Sequence, residues 1–438
     1  MSSGLMSATC LWLAAALVSA QDPPAAETES APPAEAEPVV PAQAPLDESK
    51  YDPPLYDKEK ATAWERSNGE LRFKQALRLE RLGGADRETV TKSIQHYLYK
   101  LTIKEERPNL HIIVQKLLET INSKQLTTPE GRNFVNEEIV RIAPELLGQP
   151  PAIRLNVVIV AASLVSDATT TPPRPYFGAA PLFLSILDDP NQLVECKLWA
   201  VKGLGRLCRD VDFPVTERSK VATKIVTVLG DPQAMAPQNW WYRLRLVEAL
   251  GDTGLCYDLQ RQPIIIDTLV AVLSSNKEHW MVRTTAARAA TQLPWQQADS
   301  INVPLITYQI CKITREMAAE RNARLNGSHW PYSFLSMYLS FNPQTAEQKQ
   351  KNWGLLQKAR QPGYTQHEPL VTSAYQALLP VVNSVMGSRQ PRQTTADEIQ
   401  LLDDWLKNNV PADNKPTPSS KQVDLTPRRD PMANADQR

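Results

Sequence analysis

The sequence predicts an all-α protein, a solenoid of stacked antiparallel helix pairs, and three observations lead there. One helical pattern recurs between Pro150 and Leu293. Ile153-Arg154, Cys196-Lys197, Tyr242-Arg243 and Val282-Arg283 each join an apolar residue to a long cation. An apolar or small residue follows three positions after the cation (Val157, Ala200, Leu246, Ala286), and a small or apolar pair three further on (Val160-Ala161, Gly203-Leu204, Ala249-Leu250, Ala289-Ala290). The cations lie 43, 46 and 40 residues apart, a period that belongs to stacked helical pairs. Between the copies, Asp, Asn, Ser or Pro punctuate the chain where a turn is needed.

Residues 1–20 read as a secretory signal. Leu11 to Val18 is apolar but too short to span a bilayer, and Val18-Ser19-Ala20 supplies small residues before a cleavage point between Ala20 and Gln21. The chain is therefore expected to be exported, to periplasm, cell envelope or exterior, with no transmembrane helix once the signal is removed. Residues 21–57 hold nine prolines with Ala and Glu and no helical period, so they are expected to form a disordered, semi-stiff spacer.

From Lys58 the pattern is helical. Residues 58–148 form a helical N-terminal part of the array or a separate cap. Asp86 is expected to cap a helix running to Ile103, Asn109 the next, and Thr128-Pro129 to open a third, with proline where its missing N–H costs nothing. Residues 149–293 carry the repeats: a helix to Val165, then Pro181 to Leu187 with Leu193 to Cys208, Lys220 to Leu229 with Trp240 to Gly251, and Ile264 to Leu273 with His279 to Leu293. Segments 169–175 and 233–238 read as long loops. Residues 294–410 continue as divergent helices, with aromatics along one side of His329 to Phe341 expected in the core and a capping box at Thr395 to Glu398. Residues 411–438 turn to Pro, Ser, Lys and Asp and are expected to be a disordered tail.

The repeat region resembles the HEAT-repeat family in its broader armadillo-like sense. The residues that carry the resemblance are Asp188-Asp189-Pro190 with Cys196-Lys197, Ala200 and Gly203-Leu204, and Val282-Arg283 with Ala286-Ala287 and Ala289-Ala290. It implies a right-handed solenoid with a concave protein-binding surface. It also implies that Arg154, Lys197, Arg243 and Arg283 form a structural ladder paired with turn aspartates, here Asp188 or Asp189, Asp231 and Asp167. The alternative is a ligand-binding row.

Charge excludes one class of partner. The 48 basic residues balance 48 acidic ones; residues 21–57 carry a net −8, the body from 58 to 410 a net +7 and residues 411–438 a net +1. That body falls far short of a nucleic-acid-binding stripe, so the expected partner is a protein. No G-x-S-x-G, HExxH, Walker or dinucleotide-glycine pattern occurs, and the five histidines are scattered without a metal-ligand spacing. The expectation is a non-enzymatic scaffold or adaptor without cofactor or metal, the alternatives being a mechanical envelope spacer or the non-catalytic subunit of an exported enzyme. Trp240, Trp241 and Trp280 are candidate interface aromatics, since adjacent tryptophans do not readily face one core. Cys208 and Cys256 close equivalent helices and are a candidate disulfide, the alternative being two buried free thiols.

Overall fold

The computed structural model describes residues 48–423, except 126, 297–298 and 388–391. The signal with its Ala20–Gln21 cleavage point, most of the spacer and residues 424–438 lie outside the described residues. Contacts divide the chain between Glu48 and Ser49, and the helical body is the unit from Ser49 onward.

The regular secondary structure of the described residues is almost entirely helical. In chain order the helices are α1 (Lys58–Arg66), α2 (Gly69–Leu77), α3 (Gly84–Lys100), α4 (Leu110–Ile121), α5 (Pro129–Ile142), α6 (Pro151–Ser163), α7 (Ala180–Asp188), α8 (Val194–Asp210), α9 (Val215–Leu229), α10 (Pro232–Met235), α11 (Trp240–Asp252), α12 (Ile264–Ser274), α13 (Trp280–Gln292), α14 (Val303–Ala323), α15 (Trp330–Phe341), α16 (Ala346–Gln350), α17 (Leu355–Lys358), α18 (Glu368–Met386) and α19 (Ala396–Asn408). The all-α expectation holds but for a short ribbon within the loop after α6. There β1 (Val165–Asp167) pairs antiparallel with β2 (Arg174–Pro175), Val165 opposite Pro175.

Local chemistry sets most boundaries. Thr128 caps α5 by accepting from Gly131 N at 3.2 Å, with Pro129 at the first position. Thr395 and Glu398 form the expected capping box on α19. Two caps differ from expectation. Helix α3 starts before Asp86, whose carboxylate is the third helical residue and reaches back to Gly83 N at 3.2 Å. Asn109 stands at the cap position of α4 without capping it; its amide donates to Glu106 instead.

The helices pack in two rows. One runs α4, α6, α8, α11, α13, α15, α18, each against the next; the other runs α7, α9, α12, α14, α19. The rows meet where α7 packs on α8, α9 on α11, α12 on α13 and α14 on α15. Residues 58–148 belong to the same unit, with α2, α3 and α5 packed together and α4 against α6.

Within the first row the repeating residues share a register. Arg154, Lys197, Arg243 and Arg283 are each the fourth residue of their helix, and Val157, Ala200, Leu246 and Ala286 the seventh. All four seventh residues are fully buried. The serines of α15, Ser333, Ser336 and Ser340, are as buried as its aromatics Trp330, Phe334 and Phe341, because small side chains let α13 approach that face.

Close approach between α11 and α13 depends on Gly251, where a β-carbon would lie 2.8 Å from Ala289 Cβ and 3.2 Å from its Cα. Gly251→Ala is expected to destabilise by about 1–2 kcal/mol despite alanine's better helix propensity, because two backbones must separate. Gly84→Ala, which meets nothing within 4 Å, is the control and should not destabilise. Chemical denaturation of both variants checks this.

Both ends of the described chain lie on the body, which corrects the expectation for parts of the spacer and the tail. Asp52 N donates to Gly148 O at 3.3 Å, Gln149 Nε2 to Pro53 O at 3.0 Å and Leu55 N to Thr102 Oγ1 at 3.1 Å. At the other end Asn302 donates from its amide to Asp413 O and Lys415 O and from its backbone to Pro416 O, while Ser420 Oγ donates to Asp267 on α12. Backbone groups satisfied in this way hold segments that bring little apolar surface.

Candidate functional site: a polar cleft on the first helical row

Helices of the first row run side by side in the same direction. Arg206 near the end of α8 donates to Ala162 O near the end of α6 at 2.6 Å, and Arg209 of α8 to Asp252, the last residue of α11, at 3.0 Å. At the starts of α11 and α13, Trp240 stacks on His279 with ring centroids 4.3 Å apart. Alignment of like ends places equivalent helical positions side by side.

Positions six, nine and thirteen of these helices lie on one face, since such spacings return to the same side of a helix. On α11 they are Arg245, Glu248 and Asp252; on α13, Thr285, Arg288 and Gln292. With Arg209 and Ala289 these residues line a cleft of about 230 Å³. It continues into a second space of about 190 Å³, lined by Arg209, Asp252, Arg288, Gln292, Leu339, Pro343, Gln348 and Trp353. Gly205 and Gly251 bring α8, α11 and α13 close enough to form its floor.

The charges are unequally matched. Arg209 is held by Asp210 and by Asp252, at 3.0 Å each. Glu248 serves three groups: Arg245 forms an ion pair with it, Tyr332 Oη donates to it at 3.3 Å, and Arg288 comes only to 3.8 Å. Burial pushes the Asp252 carboxyl up to about 6, the neighbouring Arg209 opposing that rise. The guanidinium of Arg209 is itself raised by the carboxylates around it, against its burial. Both directions hold together, because burial of the Asp252 carboxyl outweighs what one guanidinium returns to it.

The residues singled out in the sequence lie elsewhere. The ladder cations stand in the first turns of their helices, and Arg243 is about 14 Å along α11 from Asp252. Their acceptors are not the turn aspartates. Arg154 donates to Gln192 Oε1 at 3.3 Å and Lys197 to Gln233 Oε1 at 2.8 Å. Arg243 grips both oxygens of Glu278, and Arg283 donates to Glu316 at 3.2 Å. Arg243 and Arg283 also donate to Leu229 O and Leu273 O, carbonyls at the ends of α9 and α12 that lack helical donors. Each of these two arginines thus ties the preceding helix to an acceptor further along the chain. Two of those aspartates have other partners: Asp188 pairs with Lys224 on α9, and Asp167 accepts from Thr169.

Of the candidate interface aromatics, Trp280 is buried, its ring beside the Arg283 guanidinium, while Trp240 and Trp241 are half-buried at the start of α11, the end remote from the cleft. Cys208 and Cys256 are buried free thiols, as are Cys196 and Cys311, so the brace between helices is not formed. Burial pushes the thiols of Cys196, Cys208 and Cys256 up to about 12, which removes them from thiolate chemistry near neutrality.

Among the described residues no group of three or more His, Cys, Asp or Glu is placed to hold a metal ion, and no helix is long and apolar enough to cross a membrane. Comparison with family models, curated proteins and solved structures finds no match to this chain.

Proposed function

We propose that this chain is an exported, non-enzymatic scaffold or adaptor, a right-handed HEAT-like solenoid that holds a protein partner along the polar face of its first helical row. The observation that carries the reading is the cleft across α8, α11, α13, α15 and the residues after it, in which α11 and α13 present equivalent positions side by side. Distributed contacts along repeated positions suit an extended partner. The shared register of the fourth and seventh residues supports the repeat reading, and Leu11 to Ala20 supports export.

The test is a pull-down from the native envelope fraction with the full chain as bait, beside an Arg245→Gln/Arg288→Gln variant. A partner retrieved by the wild type at low salt and lost at least tenfold with the variant is the expected outcome. Both arginines are partly solvent-exposed, so the variant should keep its fold, and unchanged circular dichroism and melting check this. Failure of the wild type to retrieve any partner would overturn the scaffold reading.

A further inference from the structure

We infer that the cleft recognises an extended peptide carrying an acidic side chain and, a short distance further along, an apolar one, the carboxylate received between Arg245 and Arg288 and the apolar group against Leu339, Pro343 and Trp353. This rests on the scaffold reading and names the chemistry of the partner.

Charge accounting selects the ligand. The cleft is lined by Arg209, Arg245 and Arg288 against Glu248 and Asp252, with Asp210 behind Arg209. Arg209 is held by both Asp252 and Asp210, so the unmatched cation is on the other side, where Arg245 and Arg288 share the single carboxylate of Glu248. Arg288 stops at 3.8 Å from that carboxylate, beyond hydrogen-bond reach. A second carboxylate entering there would complete the set and offer two guanidiniums the planar acceptor they match best. A nucleic-acid backbone fits worse, because its closely spaced phosphates would meet Glu248 and Asp252 as well as the arginines.

Composition of the cleft selects the second side chain. The half lined by Arg245, Glu248 and Thr285 is polar, whereas the half beyond Arg288 is edged by Leu339, Pro343 and Trp353. Trp353 is half-buried and Leu339 partly open, so both retain apolar surface to cover. Gln292 borders both halves and supplies an amide to the peptide between the two side chains.

Acidity should tune this contact. Asp252 faces Arg209 and Asp210 from α8, Glu248 on its own helix and Arg288 from α13. Its protonation as pH falls through about 6 removes one negative charge from the cleft while Arg209 stays paired with Asp210, and a glutamate on the peptide stays ionised until about pH 4. Binding should therefore tighten between pH 7.5 and 5.5.

The experiment is fluorescence anisotropy with the full chain and labelled decapeptides of Ala, Ser and Gly carrying one Glu and one Leu two to four residues later. Matched arms change Glu to Gln or Leu to Ser, and another arm is a single-stranded oligonucleotide. Arg288→Gln should weaken the Glu/Leu peptides about tenfold and leave the Gln peptides unchanged. Glu248→Gln, which releases both arginines, should tighten the Glu peptides several-fold, a gain that damage to the fold would not produce. Trp353→Ala should weaken the Leu peptides and not the Ser peptides. Affinity indifferent to the peptide's Glu, or an oligonucleotide that displaces the peptides, would overturn the inference. The two readings fail separately. An envelope partner whose capture ignores Arg245 and Arg288 sinks the acidic–apolar motif alone. Peptide binding as described with no envelope partner retrieved sinks the scaffold reading alone.

Discussion

Arg243→Met is expected to cost about 3–5 kcal/mol of folding stability, the range for breaking a buried ion pair from one side. The Arg243 side chain is nearly buried, with two nitrogens on the Glu278 carboxylate and a third on Leu229 O at 2.7 Å. Methionine would fill much of the space but leave a mostly buried carboxylate without its cation and a helix-end carbonyl without its donor. In the double variant Arg243→Met/Glu278→Met much of that loss should return, since the stranded charge goes with its partner. Arg154→Met makes the contrast. Arg154 is half-buried and gives a 3.3 Å hydrogen bond to the neutral Gln192, so its loss should cost about 1 kcal/mol or less. Guanidinium denaturation of the three variants reads the gradient directly. Equal costs at Arg243 and Arg154 would show that register alone, not the charged acceptor, sets the value of the ladder.

Lys358→Met should act in the opposite direction, raising stability by about 2–3 kcal/mol at pH 7. Lys358 closes α17 and is fully buried, its ammonium donating to Leu293 O with the Trp295 ring 5.6 Å away. Among the described residues no carboxylate pairs with it. Burial pushes its pKa down to about 8 from 10.5, a shift of a little over two pH units that corresponds to the stated penalty on the charged form. Methionine removes the charge and keeps the length, and Leu293 O retains a donor in Trp295 N at 3.0 Å. The pH dependence has a definite sign. Between about pH 8 and 10.5 the unfolded chain binds more protons at this site than the folded one, so the wild type gains stability as pH rises and the cost is complete below pH 8. The advantage of Lys358→Met should accordingly shrink towards zero near pH 10.5. Denaturation midpoints of both proteins at pH 7 and 10 test it; an advantage that does not change with pH would assign the effect to packing.

Much of the helical order was legible because its signals are local. The spacing of Arg243, Leu246 and Ala249-Leu250 within one helix, and Thr395 three residues before Glu398, are written in adjacent turns of chain. Ladder acceptors were not legible. Gln192, Gln233, Glu278 and Glu316 lie 33 to 38 residues beyond their cations, and only packing of one helix on the next decides which polar side chain meets each cation. The cleft escaped for another reason. Arg245, Glu248 and Asp252 at helical spacing look like an ordinary solvated face, and what distinguishes them is the parallel stripe Thr285, Arg288 and Gln292 brought alongside by Gly251 and Ala289. Comparing polar as well as apolar positions across the recurrent segments would have found both stripes. Short helices α16 and α17 and the docked residues 411–423 gave no periodic signal, since backbone hydrogen bonds hold such segments more than apolar stripes do.

Asn302 has a consequence for how the second half of the chain comes apart. By gripping Asp413, Lys415 and Pro416 at the threshold of α14, it closes residues 302–416 into a noncovalent loop with both ends pinned at one point. A terminal helix normally melts from its free end inward. Here α19 has no free end: opening it first requires releasing the clasp, so α14 to α19 should exchange their amide hydrogens as one cooperative block instead of fraying progressively from the terminus.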